Sequence, residues 1–438
     1  MATIVIGALV LMLPASSAAG EHTGFIDALF TSATSVCVTG LVVVDTYSHW
    51  SLLGQAVILF LIQIGGLGVV AVGSMIMLVS RRKFNLGDRM LLGDSLNIDR
   101  NRGLLQFLIR MFRGVFIVEG IGTVLCAIKF VPMFGWGKGL WASLFQSISA
   151  FCNAGMDVLG PDSLVSYRDS HLLLTVTMLL IILGGLGFVV WFDLIDGLKN
   201  AVRHRLSIRS MMSRLPEHSK IVLVMTAGLI TAGALFIFVA EHDNPYTLGG
   251  MGMGDKIINS IFQSVTFRTA GFATIPQEHL NETSCIVGYI LMFIGGSPVG
   301  TAGGIKTVTV FLFFMNAFSY SKGKKENAVF GKRISEESMR KSSAIVFVSA
   351  LTVFVMTLLL MSRDGLTHTD AMYEIISALG TVGLSRGITP HLDSAGRIIV
   401  IISMYLGRIG PISMAVFFSK TGSGINHIRH AEGKFYVG

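Results

Sequence analysis

Four glycine-centred stretches recur at nearly equal intervals along this chain, and each lies between apolar runs long enough to cross a membrane. Their central glycines are 115, 116 and 112 residues apart. A period of this size is typical of one structural unit used four times, and it constrains the fold more than any other feature. The motif residues are Val38, Thr39 and Gly40; Asn153, Ala154 and Gly155; Thr269, Ala270 and Gly271; and Thr381, Val382 and Gly383.

Composition indicates that this chain is a membrane protein. Of its 438 residues, 52% are hydrophobic and only 14% are charged, whereas a soluble domain carries about 25% charged residues. Its four cysteines form no CxxC pair and no metal-ligand spacing. We therefore expect a polytopic membrane protein without a bound metal or covalent cofactor.

The basic residues indicate which side of the membrane each segment faces. The net charge of +8 is concentrated in residues 81–102, 199–220 and 322–341, whereas residues 14–53, which hold the first motif, contain no lysine or arginine. Cytoplasmic loops of membrane proteins carry an excess of these residues. The motifs are therefore expected to enter from outside. Basic loops that orient a membrane protein are far commoner than basic loops that bind nucleic acid, so no nucleic-acid partner is expected.

Each repeat is predicted to contain a membrane helix, a short helix, the glycine loop and a second membrane helix. The short segments contain about ten to thirteen residues, which fits a re-entrant helix better than a span. The fold class is therefore an all-α membrane protein with eight transmembrane helices and four re-entrant pore helices around one central pore. An even number of spans places both termini on the same side of the membrane, and the basic loops indicate that this side is the cytoplasm.

The predicted boundaries follow from the apolar runs. The repeat units are residues 1–99, 100–214, 215–338 and 339–419, and residues 420–438 form a cytoplasmic tail. The short segments are Asp27–Cys37, Leu140–Cys152, Ile257–Phe267 and Ala371–Leu379. The outer helices of units two to four are Leu104–Phe130, Lys220–Ala240 and Ser343–Ser362. Residues 1–14 are expected to form a first outer helix that is either short or lacking its N-terminal part. The second helices are Gly54–Ser80, His171–Leu194, Ser284–Phe318 and Arg397–Ser419.

Four loops at membrane depth predict a path for a cation. Non-helical backbone is tolerated there only where it is buried or lines water. Glycine fits such a loop because it adopts positive φ and because a Cβ would crowd converging chains. The helix ends ahead of the loops carry partial negative charge, which favours a cation. We therefore predict that backbone carbonyls of the twelve motif residues bind the ion.

The second helices share a glycine 24 to 29 residues after each motif glycine, and in the first three repeats a second glycine follows it directly. In the first two repeats, small residues at this position are typical of close helix packing. In the third repeat the sequence from Gly295 to Lys306 contains five glycines and a proline, which predicts a flexible loop across the path. The predicted gate residues of this loop are Gly300, Thr301, Ala302, Gly303, Gly304 and Lys306.

The fourth repeat has Arg408 where the other repeats have glycine. An arginine within an apolar span is costly and usually faces a cavity. A positive charge below a cation filter would act as an electrostatic barrier. We therefore predict that Arg408 forms part of the gate.

These motifs resemble the Trk/Ktr/HKT superfamily of potassium transporters, and most closely its bacterial Ktr-type membrane subunits. The resemblance covers nearly the whole chain, and its specific parts are the four loops, Thr301–Lys306, Met404–Pro411 and the ending Glu432–Gly438. It implies potassium uptake across the bacterial cell membrane, a homodimer of this chain, and a cytoplasmic ring of nucleotide-binding RCK-type subunits. In the family a glycine at the position of Gly40 goes with potassium selectivity. Sodium is a candidate stimulating ion.

Several alternatives stay open at this stage. A secondary transporter of another cation or small solute would bind it at broken helices, but such proteins usually show two repeats. An enzyme is not expected, because the sequence contains no HExxH, Walker A or GxSxG motif. Arg386, just after the fourth motif, is unexplained: it would either lower conductance or point away from the path.

Overall fold

The structure, a computed structural model, describes residues 1–68, 71–72, 104–323, 327–363 and 365–410. The helices in these residues are α1 (Ala2–Leu11), α2 (Phe25–Cys37), α3 (Thr46–His49), α4 (Leu52–Leu67), α5 (Leu104–Cys152), α6 (His171–Leu186), α7 (Phe188–His204), α8 (Ile208–Ser213), α9 (Glu217–Glu241), α10 (Met253–Thr266), α11 (Glu282–Phe293), α12 (Thr307–Ser321), α13 (Glu336–Met361), α14 (His368–Gly380) and α15 (Ser394–Ile409). Strands β1 (Ala328–Val329) and β2 (Lys332–Arg333) pair antiparallel. The 3-10 turns are Pro14–Ser16, Val165–Tyr167, Gln277–His279 and Thr389–His391.

Every glycine motif follows the end of a helix, as predicted. Helices α2, α5 and α14 end three residues before the motif glycine, and α10 ends five residues before it. Each of these motif helices carries one large aromatic side chain that is 0% exposed, nine or ten residues before the glycine. These aromatic residues are Phe30, Phe145, Phe262 and Tyr373. Their burial fixes which face of each helix packs inward.

The second motif helix is joined to the outer helix before it by a kink. We predicted an outer helix ending at Phe130 and a new short helix from Leu140, and the range of α5 indeed holds two helices that meet at a kink without an intervening loop. Pro132 lies inside it, and Gly135 bends it with a φ of 79° and a ψ of 170°. The kink lets the outer helix pass directly into the C-terminal segment, residues 140–152, that leads into the motif.

Helix packing follows one pattern around the molecule. Helix α4 packs on α5, α6 on α10, α11 on α14, and α15 on α2. Each motif helix is thus covered by the helix that follows the preceding motif, and the last pair returns to the first. The ion pair between Arg397 and Asp27 joins α15 to α2.

The glycine pairs of the second helices make this packing close, as predicted for the first two repeats. A Cβ on Gly65 would run into the carbonyl oxygen of Val36, and a Cβ on Gly184 into that of Phe151. Both carbonyls lie four residues before a motif glycine. A Cβ added to the next residue, Gly66, would lie 2.5 Å from the Sγ of Cys152. Small residues therefore allow these helices to touch the motif helices directly.

The predicted lengths of the second helices are wrong in the second repeat. We predicted one helix over His171–Leu194, but α6 and α7 meet at Gly187 with a bend of 100°. The φ of Gly187 is 86°, a conformation that breaks a helix and that glycine adopts easily. The same positive φ ends α4 at Gly68 and α15 at Gly410. The third repeat is interrupted over residues 294–306, as predicted.

Three helices among the described residues are long and apolar enough to cross a bilayer: residues 106–152, 217–241 and 336–361. The bent pair α6 and α7 makes a fourth if it is counted as one span. Helices α1, α2, α4, α11 and α12 are apolar but shorter. The basic segment 81–102, the predicted helix ends up to Ser80 and Ser419, and the tail 420–438 lie outside the described residues.

Candidate functional site

The four motifs adopt the same backbone conformation. The φ values of Gly40, Gly155, Gly271 and Gly383 are 101°, 66°, 87° and 92°, so the predicted positive φ is confirmed. Two residues earlier, Val38, Asn153, Thr269 and Thr381 also have positive φ, between 52° and 67°. Non-glycine residues rarely adopt this conformation, and a bulky β-branched one such as Val38 is a genuine outlier. The surrounding packing must therefore hold these residues in place.

The motif glycines lie against one another in a closed cycle. A Cβ on Gly40 would lie 2.5 Å from the carbonyl oxygen of Ala154, and a Cβ on Gly155 would lie 2.6 Å from that of Ala270. A Cβ on Gly271 would lie 2.5 Å from the carbonyl oxygen of Val382.

The fourth contact closes the cycle, because a Cβ on Gly383 would run into the carbonyl oxygen of Thr39. Each glycine therefore faces the residue before the next motif's glycine. The order of contacts is the order of the motifs in the chain. The twelve predicted motif residues are thus brought together, and their non-glycine members are all buried.

A hydroxyl group on each motif helix anchors the loop that follows it. The amide of Gly40 donates to Oγ1 of Thr34 at 2.9 Å, and the amide of Gly383 donates to Oγ of Ser377 at 3.1 Å. In the other two loops the anchors are Ser149, whose Oγ lies 2.5 Å from the carbonyl oxygen of Met156, and Thr266, whose Oγ1 lies 2.7 Å from that of Phe272. Our sequence analysis missed these residues, although a serine or threonine five or six residues before each glycine is a visible signal.

The motifs also hold buried polar groups without a protein partner. Among the described residues, Oγ1 of Thr39, Thr269 and Thr381 and Nδ2 of Asn153 are buried and make no hydrogen bond. Buried polar atoms are normally paired, because leaving one unpaired costs about 1–3 kcal/mol. The unpaired threonine oxygens, in three of the four converging loops, are suited to a hydrated or partly dehydrated cation. No group of three or more His, Cys, Asp and Glu side chains in the described residues is arranged to hold a resident metal.

The loop between α11 and α12, residues 294–306, packs against the motifs and against the bend of the second repeat. The amides of Ser297 and Thr301 donate to the carbonyls of Gly185 and Gly184 at 2.9 and 3.1 Å. Gly300 is also confined, because its Cβ would lie 3.0 Å from the Gly184 oxygen. The broken helix of the third repeat is therefore bonded to the helix end of the second.

The same loop reaches the motif residues themselves. The hydroxyl of Thr301 donates to the carbonyl of Phe151 at 3.0 Å and lies 3.3 Å from Oδ1 of Asn153. A Cβ on Gly303 would run into Oγ1 of Thr381. These contacts lie at positions two to four residues before the motif glycines, so the loop meets the ring on the side of the helix ends.

Two cationic side chains hold this loop by its backbone. Arg408 donates from Nη1 to the carbonyl of Thr301 at 2.7 Å and from Nη2 to the carbonyl of Gly65. Lys306 donates to the carbonyl of Ala302 at 2.6 Å. Neither has an acidic partner within the part of the chain that the structure describes. The predicted gate residues are therefore brought together, with Arg408 joining the loop to the first repeat.

A third cation near the loop was missed. Arg268 directly precedes Thr269 and is 8% exposed, and its Nη2 donates to the carbonyl of Gly295 at 3.2 Å. Arg268 therefore links the third motif to the start of the loop over residues 294–306. A charged residue within an apolar motif was a signal in the sequence, although it does not show where the side chain points.

Arg386 turns away from the motif that precedes it. Its Nε forms an ion pair with Asp370 at 2.8 Å, and its Nη1 and Nη2 donate to the carbonyls of Gln277 and Glu278 at 3.2 and 3.1 Å. The open question about this residue is thus resolved in favour of a structural contact between the third and fourth repeats. Behind the same motif, buried Glu374 accepts hydrogen bonds from Ser385 and Thr389 at 2.7 and 2.5 Å.

Comparison with known proteins identifies the family. A profile described as TrkH, cation transport protein, matches residues 1–427. The chain belongs to the TrkH cation-transport family. The sequence resemblance is therefore confirmed at the level of the family, whose members are cation transporters and not enzymes.

Two curated relatives of this TrkH-family chain match nearly all of it. Ktr system potassium uptake protein B of Bacillus subtilis is 38% identical over 436 residues, covering 100% of this chain and 94% of the relative. Potassium/sodium uptake protein NtpJ of Enterococcus hirae is 36% identical over 420 residues, covering 95% of this chain and 90% of the relative. The crystal structure of the potassium transporter TrkH from Vibrio parahaemolyticus has the same fold, with a TM-score of 0.70 at 17% identity over 95% of this chain and 85% of that chain.

Proposed function

We propose that this chain is the pore-forming subunit of a potassium uptake system in the bacterial cell membrane. Potassium passes through a selectivity filter formed by backbone oxygens of the twelve motif residues, at the centre of four helix–pore-helix–helix units. The observation that carries the proposal is the closed cycle of contacts among the four motif glycines. Rings of backbone carbonyls replace the hydration shell of potassium in selective pores.

The helix ends support a cationic substrate. Four motif helices end within five residues of the ring, and a helix C-terminus carries partial negative charge equivalent to about half an elementary charge. The unpaired threonine oxygens of the motifs add acceptors at the same place. The membrane potential contributes about 2.3 kcal/mol per charge for each 100 mV to inward movement of a cation.

We further propose that residues 295–306 and Arg408 form the gate. The loop adjoins the ring on the side of the helix ends, and Arg408 and Lys306 bring positive charge to this side. In the closed arrangement the loop obstructs the path and the two charges repel a cation. Withdrawal of the loop breaks the bonds from Arg408 and from Thr301, and it leaves the ring intact.

The assembly and topology are proposals that rest on the family. The curated relatives are named as a Ktr potassium uptake protein and a potassium/sodium uptake protein. By analogy with the superfamily we propose a homodimer of this chain, a cytoplasmic ring of RCK-type regulatory subunits that moves the gate, cytoplasmic termini, and stimulation by sodium. No observation in the structure favours transport of another solute.

Uptake of potassium or rubidium by a potassium-transport-deficient bacterium tests the proposal. Gly40→Ser is expected to lower the preference for potassium over sodium, because a Cβ at this position meets the carbonyl of Ala154. Deleting residues 300–304 is expected to give uptake that no longer depends on the regulatory subunit. The control is Gly228→Ser in α9, where a Cβ meets no atom within 4 Å. Unchanged selectivity in the first variant together with unchanged regulation in the second would refute the proposal.

A further inference from the structure

Helix α7 has a direction that sets it apart from the helices around the motifs. It leaves α6 at a bend of 100°. Helix α6 contains 16 residues, which rise about 24 Å, most of the roughly 30 Å hydrocarbon core of a bilayer. If α6 crosses the membrane from outside, α7 begins near the inner boundary and runs along the membrane plane. Amphipathic helices of this kind lie within the interface.

One face of α7 exposes large aliphatic side chains. Ile195 is 46% exposed, Leu198 57% and Val202 73%. Their spacing of three and four residues places them on the same face of the helix. On a neighbouring face of α7, Val190 and Ala201 are buried. Ile208, at the start of α8, is 78% exposed as well.

The edge of this apolar face carries uncompensated positive charge. Lys199 and Arg203 are exposed and form no ion pair with the residues that the structure describes. The two acidic residues of α7 are engaged elsewhere: Asp196 pairs with Arg110 at 3.6 Å, and Asp193 accepts a hydrogen bond from Ser219 at 2.5 Å. Asp193 also lies on the other side of the helix from the apolar face, so the charge beside that face is basic.

We infer that α7 is an in-plane helix whose apolar face inserts into the inner leaflet and whose Lys199 and Arg203 bind the phosphates of anionic phospholipids. The inference rests on the juxtaposition of three exposed aliphatic residues with two unpaired cations on a helix bent away from a membrane span. Anionic headgroups supply the complementary charge, and acyl chains supply the complementary apolar surface.

The same helix is bonded to the loop proposed as the gate. The amide of Phe188 donates to the carbonyl of Val299 at 3.0 Å, and a Cβ on Gly187 would run into the carbonyl of Pro298. Anionic lipid bound along α7 therefore restrains the helix whose Phe188 amide is hydrogen-bonded to the loop. This second step, from lipid to gate, rests on the proposed function, whereas the binding of lipid does not.

Depth measurements on the whole chain in liposomes test the binding. Nitroxide labels are attached to cysteines placed singly at Ile195, Leu198, Val202 and Asn200, since the four native cysteines are buried. In vesicles of phosphatidylcholine and phosphatidylglycerol, oxygen is expected to reach the first three labels better than a water-soluble nickel reagent, and the reverse is expected at Asn200. Aqueous accessibility at all four labels would overturn the inference. So would spectral broadening caused by the same label on a second copy of the chain, because it would show that a second copy covers this face.

A charge comparison tests the headgroup contact and the coupling. The double variant Lys199→Gln and Arg203→Gln is compared with Lys322→Gln and Lys341→Gln, which removes the same charge from another segment predicted to be cytoplasmic. Stimulation of cation flux by phosphatidylglycerol is expected to need about fivefold more anionic lipid for each charge removed from α7, and the control pair is expected to behave like the unmodified chain. Equal shifts in both pairs would overturn the specific contact. If neither the variants nor the unmodified chain transports potassium, the proposed function fails. The depth measurements still decide whether α7 contacts lipid.

Discussion

The ring of motif loops and the loop over residues 294–306 are both non-helical, but they are held in different ways. In the ring, each glycine is closed in by the backbone of the next motif, and each loop is anchored to a hydroxyl of its own helix. The loop over residues 294–306 also has closely packed glycines, but its carbonyls in addition accept hydrogen bonds from charged side chains: Arg408 and Arg268 outside the loop, and Lys306 within it.

The difference indicates which part can move. Displacing one motif loop disturbs two neighbouring contacts and leaves buried amides unpaired, each at a cost of about 1–3 kcal/mol. A hydrogen bond from a charged donor contributes about 1.5–3 kcal/mol, so a few such bonds can be broken by a regulatory subunit that binds one arrangement better. The ring is therefore suited to selectivity and the loop to gating.

The strongest test of the ring is Gly271→Ala. A Cβ at this position would lie 2.5 Å from the carbonyl of Val382 and 2.8 Å from Cα of Gly155, and the φ of 87° is unfavourable for alanine. We expect potassium uptake to fall by about 100-fold or more, which corresponds to roughly 2.7 kcal/mol. Gly228→Ala serves as the matched control. Normal uptake with normal selectivity in the Gly271 variant would contradict a continuous ring.

The attachment of the gating loop is tested by Arg408→Gln and Arg408→Lys. Glutamine removes the charge and the bridge between Thr301 and Gly65, so unregulated uptake is expected to rise by about tenfold, or roughly 1.4 kcal/mol. Lysine keeps the charge but lacks the planar fork that bonds two carbonyls at once, and we expect it to release the loop partly. A lysine variant identical to the unmodified chain would assign the whole effect to charge.

The hydroxyl anchors are expected to have a smaller effect, measured as the ratio of potassium to sodium uptake. Ser377→Ala leaves the amide of Gly383 without its partner at 3.1 Å, at a cost of about 1 kcal/mol or more. The preference for potassium is therefore expected to fall several-fold, because the loop can relax. Ser342→Ala, which removes an equally buried hydroxyl that donates within α13, should leave the ratio unchanged. Equal ratios in the two variants would mean that the hydroxyl does not position the loop.

The smallest effect is expected at Arg386. Because its charge is paired with Asp370 at 2.8 Å, Arg386→Gln should change the KM for potassium by less than about twofold, as is usual for a compensated pair near a surface. Asp370→Asn leaves the arginine charge uncompensated and should raise the KM more. A larger effect of the arginine variant would show that its charge acts on the ion.

The sequence was sufficient to predict the features that depend on periodicity and composition. The four motifs, the short helices before them and the interruption after Phe293 could all be read from spacing and glycine content. Spacing and glycine content do not show whether a given glycine packs its helix closely against a neighbour or breaks the helix. In the second repeat Gly184 packs as predicted, while Gly187, only three residues later, bends the helix by 100°.

Other features depend on contacts between distant parts of the chain. The positive φ of Val38, which ends α2 in a left-handed cap, contradicts the preference of a β-branched residue and could not be predicted from its type. The directions of Arg268 and Arg386 depend on carbonyls that lie 27 and 109 residues away. No local pattern encodes such distances, so these contacts became visible only in the folded structure.

The contact between α15 and α2 has a consequence for biosynthesis. Arg397 and Asp27 are 370 residues apart in the chain, and ribosomes add about 5–20 residues per second. The first quarter of the protein must therefore wait roughly 20 to 70 s in the bilayer before its final neighbour emerges. During this interval its polar loop is open on one side to lipid, which makes the nascent chain a natural client for membrane insertases and quality-control proteases.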